Sequence, residues 1–146
     1  MINEGVFMKV KYLCLVVLGI FALGCGNAQD LQSRLTNQWI LTALSNAGNV
    51  VNVRLAEQNA YIDFDTPQDF NGNAGCNGFF GSYQVQANQI RFSNVGMTRK
   101  LCAPESMAVE DTLVQLFADG VGNVSIQGSE LIITRGTIRA VFRASR

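Results

Sequence analysis

Short runs of alternating apolar and polar residues, separated by breaks rich in Gly and Asn, are the feature that most constrains the fold. In one run Val51, Val53 and Leu55 alternate with polar residues, and in the next Ile62 and Phe64 do the same. Alternation with a period of two is typical of a strand with one buried face, and Gly and Asn favour the turns between strands. The pattern therefore predicts about eight strands. The runs lie at residues 39–44, 50–55, 61–65, 80–85, 89–95, 124–126, 131–133 and 137–142.

One segment departs from this alternation. Its apolar residues recur at i, i+4, i+7 and i+8, which is the stripe of an amphipathic helix. Pro104 suits a first helical turn, and Gly120 provides a stop signal. We therefore predict a helix over residues 104–118 and an α+β fold, in which a β-rich curved sheet or barrel-like body of about eight strands carries one α-helix. The apolar positions are Val109, Leu113, Leu116 and Phe117.

The N-terminal residues have the features of an export signal. Lys9 and Lys11 precede an apolar run at residues 13–23, which as a helix would span only about 16 Å, roughly half of a bilayer core. Residues 21–25 (FALGC) then resemble a bacterial lipobox, in which the Cys is lipidated and becomes the first mature residue. We predict lipidation at Cys25; the alternative is an ordinary cleaved signal in which Cys25 has no role.

These features also predict a domain layout and a location. Gly26 would be the second mature residue, and the absence of Asp there favours the outer membrane under the sorting rule for such lipoproteins. We expect an outer-membrane lipoprotein of the bacterial envelope that faces the periplasm and is held to the membrane through Cys25. The predicted segments are a signal peptide at 1–24 (starting at Met1 or Met8), the lipidated Cys and a tether at 25–34, and one folded domain at 35–146.

Composition argues against several classes of function. The sequence has no histidine, which excludes Ser-His-Asp and Cys-His nucleophilic sites and the commonest metal ligand. The 11 basic and 11 acidic residues cancel, and no basic stripe indicates a nucleic-acid surface. Asp63 and Asp65 share one face of a predicted strand, and we interpret them as its solvent side instead of an acid/base pair. We predict no catalysis, no cofactor and no metal.

Cys76 and Cys102 are the two cysteines that an exported form would keep in its folded domain. Cysteines tend to pair in oxidising compartments, and this bond would stabilise the fold by up to about 3.5 kcal/mol through the unfolded state. Two alternatives stay open: a pair of buried free thiols, and a redox-active or metal-binding pair. The last lacks both a Cys-x-x-Cys motif and a third soft ligand.

A set of residues across the predicted domain occurs in a recognisable order and spacing. These residues are Trp39, Gly75, Cys76, Asn77, Gly81, Tyr83, Thr98, Cys102 and Glu110. Together they resemble the META domain, or HslJ-like, family over roughly residues 35–142, although Lys100 stands where that family usually has Met. The resemblance implies a mixed, barrel-like fold with one helix in a small envelope lipoprotein. It implies no catalytic residue, and we expect Cys76, Asn77, Thr98 and Cys102 to hold the loops around the helix together.

The resemblance also implies an association with stress, such as heat shock or antibiotic tolerance. We therefore expect a non-enzymatic, monomeric envelope lipoprotein that acts as a binding or interaction module, with another envelope protein as its partner and no nucleic acid. An alternative is an inhibitor or small-ligand carrier that uses a barrel mouth or a loop at residues 71–78. A thiol-based redox protein is the third hypothesis.

Overall fold

The structure, a computed structural model, describes residues 26–145, with side chains from Asp30 onward. The predicted signal peptide and Cys25 lie outside the described residues. None of the helices among the described residues is both long and apolar enough to cross a membrane. The elements are helices α1 (Gly26–Leu35) and α2 (Pro104–Phe117) and strands β1 (Gln38–Asn46), β2 (Asn49–Val51), β3 (Tyr61–Asp63), β4 (Asp69–Asn73), β5 (Gly78–Gln86), β6 (Gln89–Met97), β7 (Gly120–Gln127), β8 (Glu130–Arg135) and β9 (Ile138–Ala144).

Eight of the strands close into an antiparallel barrel. The order around it is β1, β3, β4, β5, β6, β7, β8 and β9, and β9 returns to β1 with pairs from Trp39↔Ala144 to Asn46↔Ile138. Strand β2 lies outside this ring and extends only the far end of β1, through the pair Leu44↔Val51 and its neighbours. The prediction of a barrel-like α+β fold with one main helix is confirmed.

The predicted strands differ from the structure in detail; β3, for example, ends at Asp63 instead of residue 65. Residues 50–55 were expected to form one strand, but β2 ends at Val51 and a 3-10 helix, Val53–Leu55, follows. The side chain of Asn52 accepts a hydrogen bond from the Arg54 N–H, and such a local bond favours a turn over a ladder. Strand β4 was not predicted, because its Asn and Gly residues read as a loop. It completes the ring in place of β2.

Helix α2 supplies much of the core by packing across the barrel interior. Its predicted apolar stripe is buried, and the ring of Phe117 stacks on Phe79 at a centroid distance of 5.0 Å. The same ring contacts Phe92 and Phe142 from two other strands. Because one ring contacts strands on both sides of the barrel, α2 serves as the plug of the core.

The residues before β1 form a helix that the sequence analysis did not predict. Residues 25–34 were expected to be a tether, whereas α1 spans Gly26–Leu35. Leu35 is fully buried, and its carbonyl accepts a hydrogen bond of 2.9 Å from the indole N–H of Trp39. Gln32 donates to the hydroxyl of Tyr83 at 3.3 Å. The second half of α1 is therefore packed against the barrel.

Gly81 lies where the β5–β6 register shifts, and no room exists there for a side chain. A Cβ on Gly81 would sit 2.8 Å from Cζ of Phe70 and 3.0 Å from the carbonyl oxygen of Ser93. We expect Gly81→Ala to lower the free energy of unfolding by about 1–3 kcal/mol, measured by denaturant titration. Gly78→Ala is the control, because its Cβ would come no closer than 3.6 Å to a neighbouring atom. Equal losses in the two variants would contradict this packing.

Tyr83 provides a test of burial by pH. Desolvation raises the pKa of its phenol to about 12, and its hydroxyl donates to the Thr66 carbonyl at 2.9 Å. The unfolded phenol titrates near 10, so the stabilisation from Tyr83 is complete below about pH 10 and is lost as the pH rises toward 12. We expect one of the three tyrosines to ionise only near pH 12, measured by phenolate absorbance after a pH jump that precedes unfolding. Tyr83→Phe should remove that step; a late step that persists would refute the assignment.

Candidate functional site

A buried polar contact joins Asn77 to Glu110. The two residues are 2% and 5% exposed. The backbone N–H of Asn77 donates to Oε2 of Glu110 at 2.8 Å, and its side-chain Nδ2 donates to Oε1 at 2.9 Å. A buried carboxylate is costly unless such donors compensate for the water it loses. The pair therefore fixes the turn before β5 to the middle of α2.

Asn77 also binds the loop that follows β6. Its Oδ1 accepts from the N–H of Lys100 at 2.8 Å and from the hydroxyl of Thr98 at 3.0 Å, and its Nδ2 donates to the carbonyl of Lys100 at 2.9 Å. Thr98 in turn accepts from the N–H of Gly78 at 3.1 Å. One amide side chain thus joins three segments of the chain. We call Asn77, Thr98, Lys100 and Glu110 the polar clamp.

A cysteine pair stands beside the polar clamp. The sulfurs of Cys76 and Cys102 are 1.96 Å apart, with a Cα–Cα distance of 6.0 Å, so the pair has the geometry of a disulfide. The preceding residue, Gly75, has a φ of +95°, a conformation that favours glycine. The bond ties together the two segments that Asn77 also joins, so it constrains the loop after β6 from its far end.

The stretch at residues 71–78 does not protrude. Its first part belongs to β4, and Ala74, Gly75, Cys76 and Asn77 are buried beneath α2 and its flanking loops. The alternative in which a loop at 71–78 is presented to an enzyme cleft therefore has no exposed loop to use.

A groove lies between β6 and α2. Its volume is about 830 Å³, and it is lined on the strand side by Val95 and Met97 and on the helix side by Met107 and Val114. Phe117 contributes to its inner wall. Val114 is 41% exposed, so part of the apolar lining is open to solvent. This size and lining are typical of a site for a ligand or a peptide.

Charged groups lie at the two ends of this groove. Arg99 and Lys100 line one end and are exposed, and Asp119 lines the other, where its Oδ1 accepts from the N–H of Val95 at 3.1 Å. The ion pairs within residues 30–145 lie elsewhere, on α1 and between β8 and β9. The Arg99–Lys100 end therefore carries two cations without an acidic partner among the described residues.

The acidic pair Asp63 and Asp65 lies apart from the groove. Desolvation, reinforced by the neighbouring Asp65 carboxylate, raises the pKa of Asp63. Asp63 is the last residue of β3 and Asp65 follows it, and neither lines the groove. In the part of the chain that the structure describes, no group of three or more Cys, Asp or Glu side chains is placed to hold a metal ion.

The residues singled out from the sequence are brought together only in part. Thr98 and Glu110 meet at Asn77, and the two cysteines lie beside them, whereas Trp39 and Tyr83 serve the α1 contact instead. The groove itself was missed. Met107 and Val114 extend the apolar face of α2 beyond its buried stripe, which is the one sequence signal that could have indicated it.

Comparison with known proteins identifies the family. The profile of the META domain family matches residues 29–146, a span that includes the whole barrel, α2 and the polar clamp. The chain belongs to the META domain family. An NMR structure of a protein from Burkholderia xenovorans resembles this META domain with a TM-score of 0.63 at 22% identity, covering 85% of this chain and 93% of that one. A second NMR structure has a TM-score of 0.62 at 17% identity, with coverages of 77% and 93%.

These likenesses establish the fold of the META domain and no activity. No curated protein matches the chain significantly. The groove and the polar clamp are therefore the features that indicate what the META domain does.

The polar clamp provides a pH-dependent test. Asn77→Asp would place a second carboxylate against Glu110 and remove the amide donor. We expect it to lower the free energy of unfolding by about 3 kcal/mol at pH 7. The deficit should shrink as the pH falls toward about 4, because protonation of one carboxyl relieves the repulsion. The measurement is urea unfolding at both pH values. Asn123→Asp, on the exposed face of β7, is the matched control and should change stability little. A deficit that does not vary with pH would contradict this role.

Proposed function

We propose that this META-domain protein is a non-catalytic binding module of the bacterial cell envelope and that the groove between β6 and α2 is its binding site. The observation that carries the proposal is the groove itself: about 830 Å³ of mainly apolar lining with Val114 open to solvent. A pocket of this size, with a mainly apolar lining and a few polar groups, is typical of a ligand-binding site.

The polar groups at the groove support binding over catalysis. The carboxylate of Glu110 faces the groove, but the backbone and side chain of Asn77 already occupy its oxygens. Disulfide-bonded cysteines provide no thiolate nucleophile, and the sequence has no histidine to act as a base. Glu110 and the two cysteines are thus committed to structural contacts beside the groove.

The polar clamp and the cysteine pair support a preformed site. They fix the loop that carries Arg99 and Lys100 to the turn before β5, and Asn77 joins that turn to Glu110 of α2. A preformed groove loses less conformational entropy on binding than a mobile one does.

A function under stress, at the membrane and with an envelope partner, is part of the same proposal. It is motivated by the N-terminal signal and by the resemblance of the motif residues to the META domain family.

Anilinonaphthalene sulfonate, an apolar fluorophore with one anionic group, is a suitable probe of the groove. We expect it to bind the folded protein with a rise in fluorescence. Val114→Glu should weaken binding by about tenfold, because it adds a carboxylate to the apolar wall. Val50→Glu is the matched control, since Val50 is 85% exposed and lies outside the groove. Circular dichroism verifies that both variants are folded.

Two results would refute the proposal. The first is no binding of the probe by the folded protein, and the second is equal binding by the Val114→Glu and Val50→Glu variants.

The cellular part of the proposal is tested in a strain that lacks the gene, grown under heat or antibiotic stress. The wild type and Val50→Glu should restore growth while Val114→Glu should not; a deletion strain without any phenotype would count against the role in stress.

A further inference from the structure

Strand β6 is paired on both edges for only part of its length. Its pairs with β7 end at Phe92↔Gly120, whereas its pairs with β5 continue to Phe79↔Met97. Asn94, which has a φ of +55°, marks the irregularity between these two parts. The last residues of β6 therefore have one paired edge and one edge that faces the groove.

The backbone groups that face the groove follow from the alternation of the ladder. The N–H of Thr98 donates to the carbonyl of Gly78 in the β5 direction, so the N–H and C=O of Met97 point the opposite way. The backbone N–H of Val95 also points toward the groove, because it donates to Asp119. No side chain or loop within residues 30–145 bonds the N–H or C=O of Met97 or the C=O of Val95. The groove thus presents a strand edge on which three backbone groups have no partner within residues 30–145.

The α2 side of the groove offers apolar surface that the side chains of a bound peptide could contact. Met107 and Val114 lie on α2 across from this edge, and Phe117 lies deeper. An unpaired strand edge facing an apolar wall is the arrangement by which an extended peptide adds a strand to a sheet, with backbone bonds for affinity and alternate side chains for specificity. An acyl chain would fill the apolar space but would leave the backbone groups of Met97 unpaired, which is costly when they are covered.

We propose that the groove binds an extended peptide segment as an added strand on β6, with apolar side chains toward α2 and a carboxylate beside Arg99 and Lys100. The charge at that end argues for the carboxylate, since these two cations have no acidic partner among the described residues. The stretch from residue 95 to residue 99, whose last two residues follow the end of β6, is about 13 Å long when extended, enough for a segment of about five residues. This inference rests on the proposed function and names the class of its ligand.

The test begins with random heptapeptides displayed on phage and selected on the folded full-length chain. Selected sequences should combine alternating apolar residues with an acidic residue near one end. A synthetic copy should displace anilinonaphthalene sulfonate, and its affinity is then measured by fluorescence anisotropy. The Arg99→Glu, Lys100→Glu double variant should weaken it by about tenfold, whereas Arg139→Glu, on the exposed face of β9, should not change it.

Two further measurements isolate the backbone pairing. N-methylation of the peptide at successive residues should reduce affinity at every second position, because only alternate N–H groups face β6. Met97→Pro removes the N–H that faces the groove without removing a β5 bond, so the peptide should bind at least about tenfold less tightly. If that variant fails to fold, the N-methyl series on the wild type decides alone.

Several outcomes would overturn the inference while leaving the proposed function intact. They are probe binding without selection of any peptide, selected peptides that are insensitive to N-methylation, and displacement of the probe by oleate but not by peptide. A concentration-dependent dimer that Val114→Glu abolishes would assign the edge to a second copy of the chain and would also overturn it. Absence of probe binding refutes the proposed function itself.

Discussion

The buried contact between Asn77 and Glu110 is the interaction on which the functional end of this barrel depends. A carboxylate that is 5% exposed can remain there only because the backbone and side chain of Asn77 donate to it. The same amide holds the loop at Thr98 and Lys100. This one side chain therefore contacts the turn before β5, the loop after β6 and the middle of α2, and the backbone N–H of Asn77 and the cysteine pair reinforce the same connections.

The groove exists because a closed barrel is locally interrupted. The ladder between β6 and β7 stops where β6 bulges at Asn94, and α2 enters the interior at that side with Phe117 among the core rings. Arg135 donates to the carbonyls of Ala118 and Asp119 and so fixes the end of the helix beside the opening. The packing of α2 into the barrel thus buries a core and leaves part of the β6 edge unpaired. Stability and the candidate binding surface come from the same arrangement.

The sequence predicted the elements better than it predicted their partners. The stripe through Val109 and Leu113 marked α2 because helical periodicity is a local property, and the turns at Ala87 and Gly128 marked two hairpins for the same reason. Strand β4 was missed because its Gly and Asn residues have low strand propensity; pairing with both β3 and β5 overrides that propensity. Helix α1 was missed because it has few apolar residues and these are buried only by tertiary contact with the barrel, such as the contact between Leu35 and Trp39.

By itself the sequence determined the fold class, the position of the main helix and the residues of the META motif, since each depends on periodicity, turn residues or spacing along the chain. Tertiary structure alone decided that Asn77, Thr98 and Glu110 converge, that β9 closes on β1, and that Met97 and Val114 face each other across a groove. These are contacts between segments distant in sequence. Which edge of a strand stays unpaired depends on the packing of every other strand and of α2, and no local pattern records it.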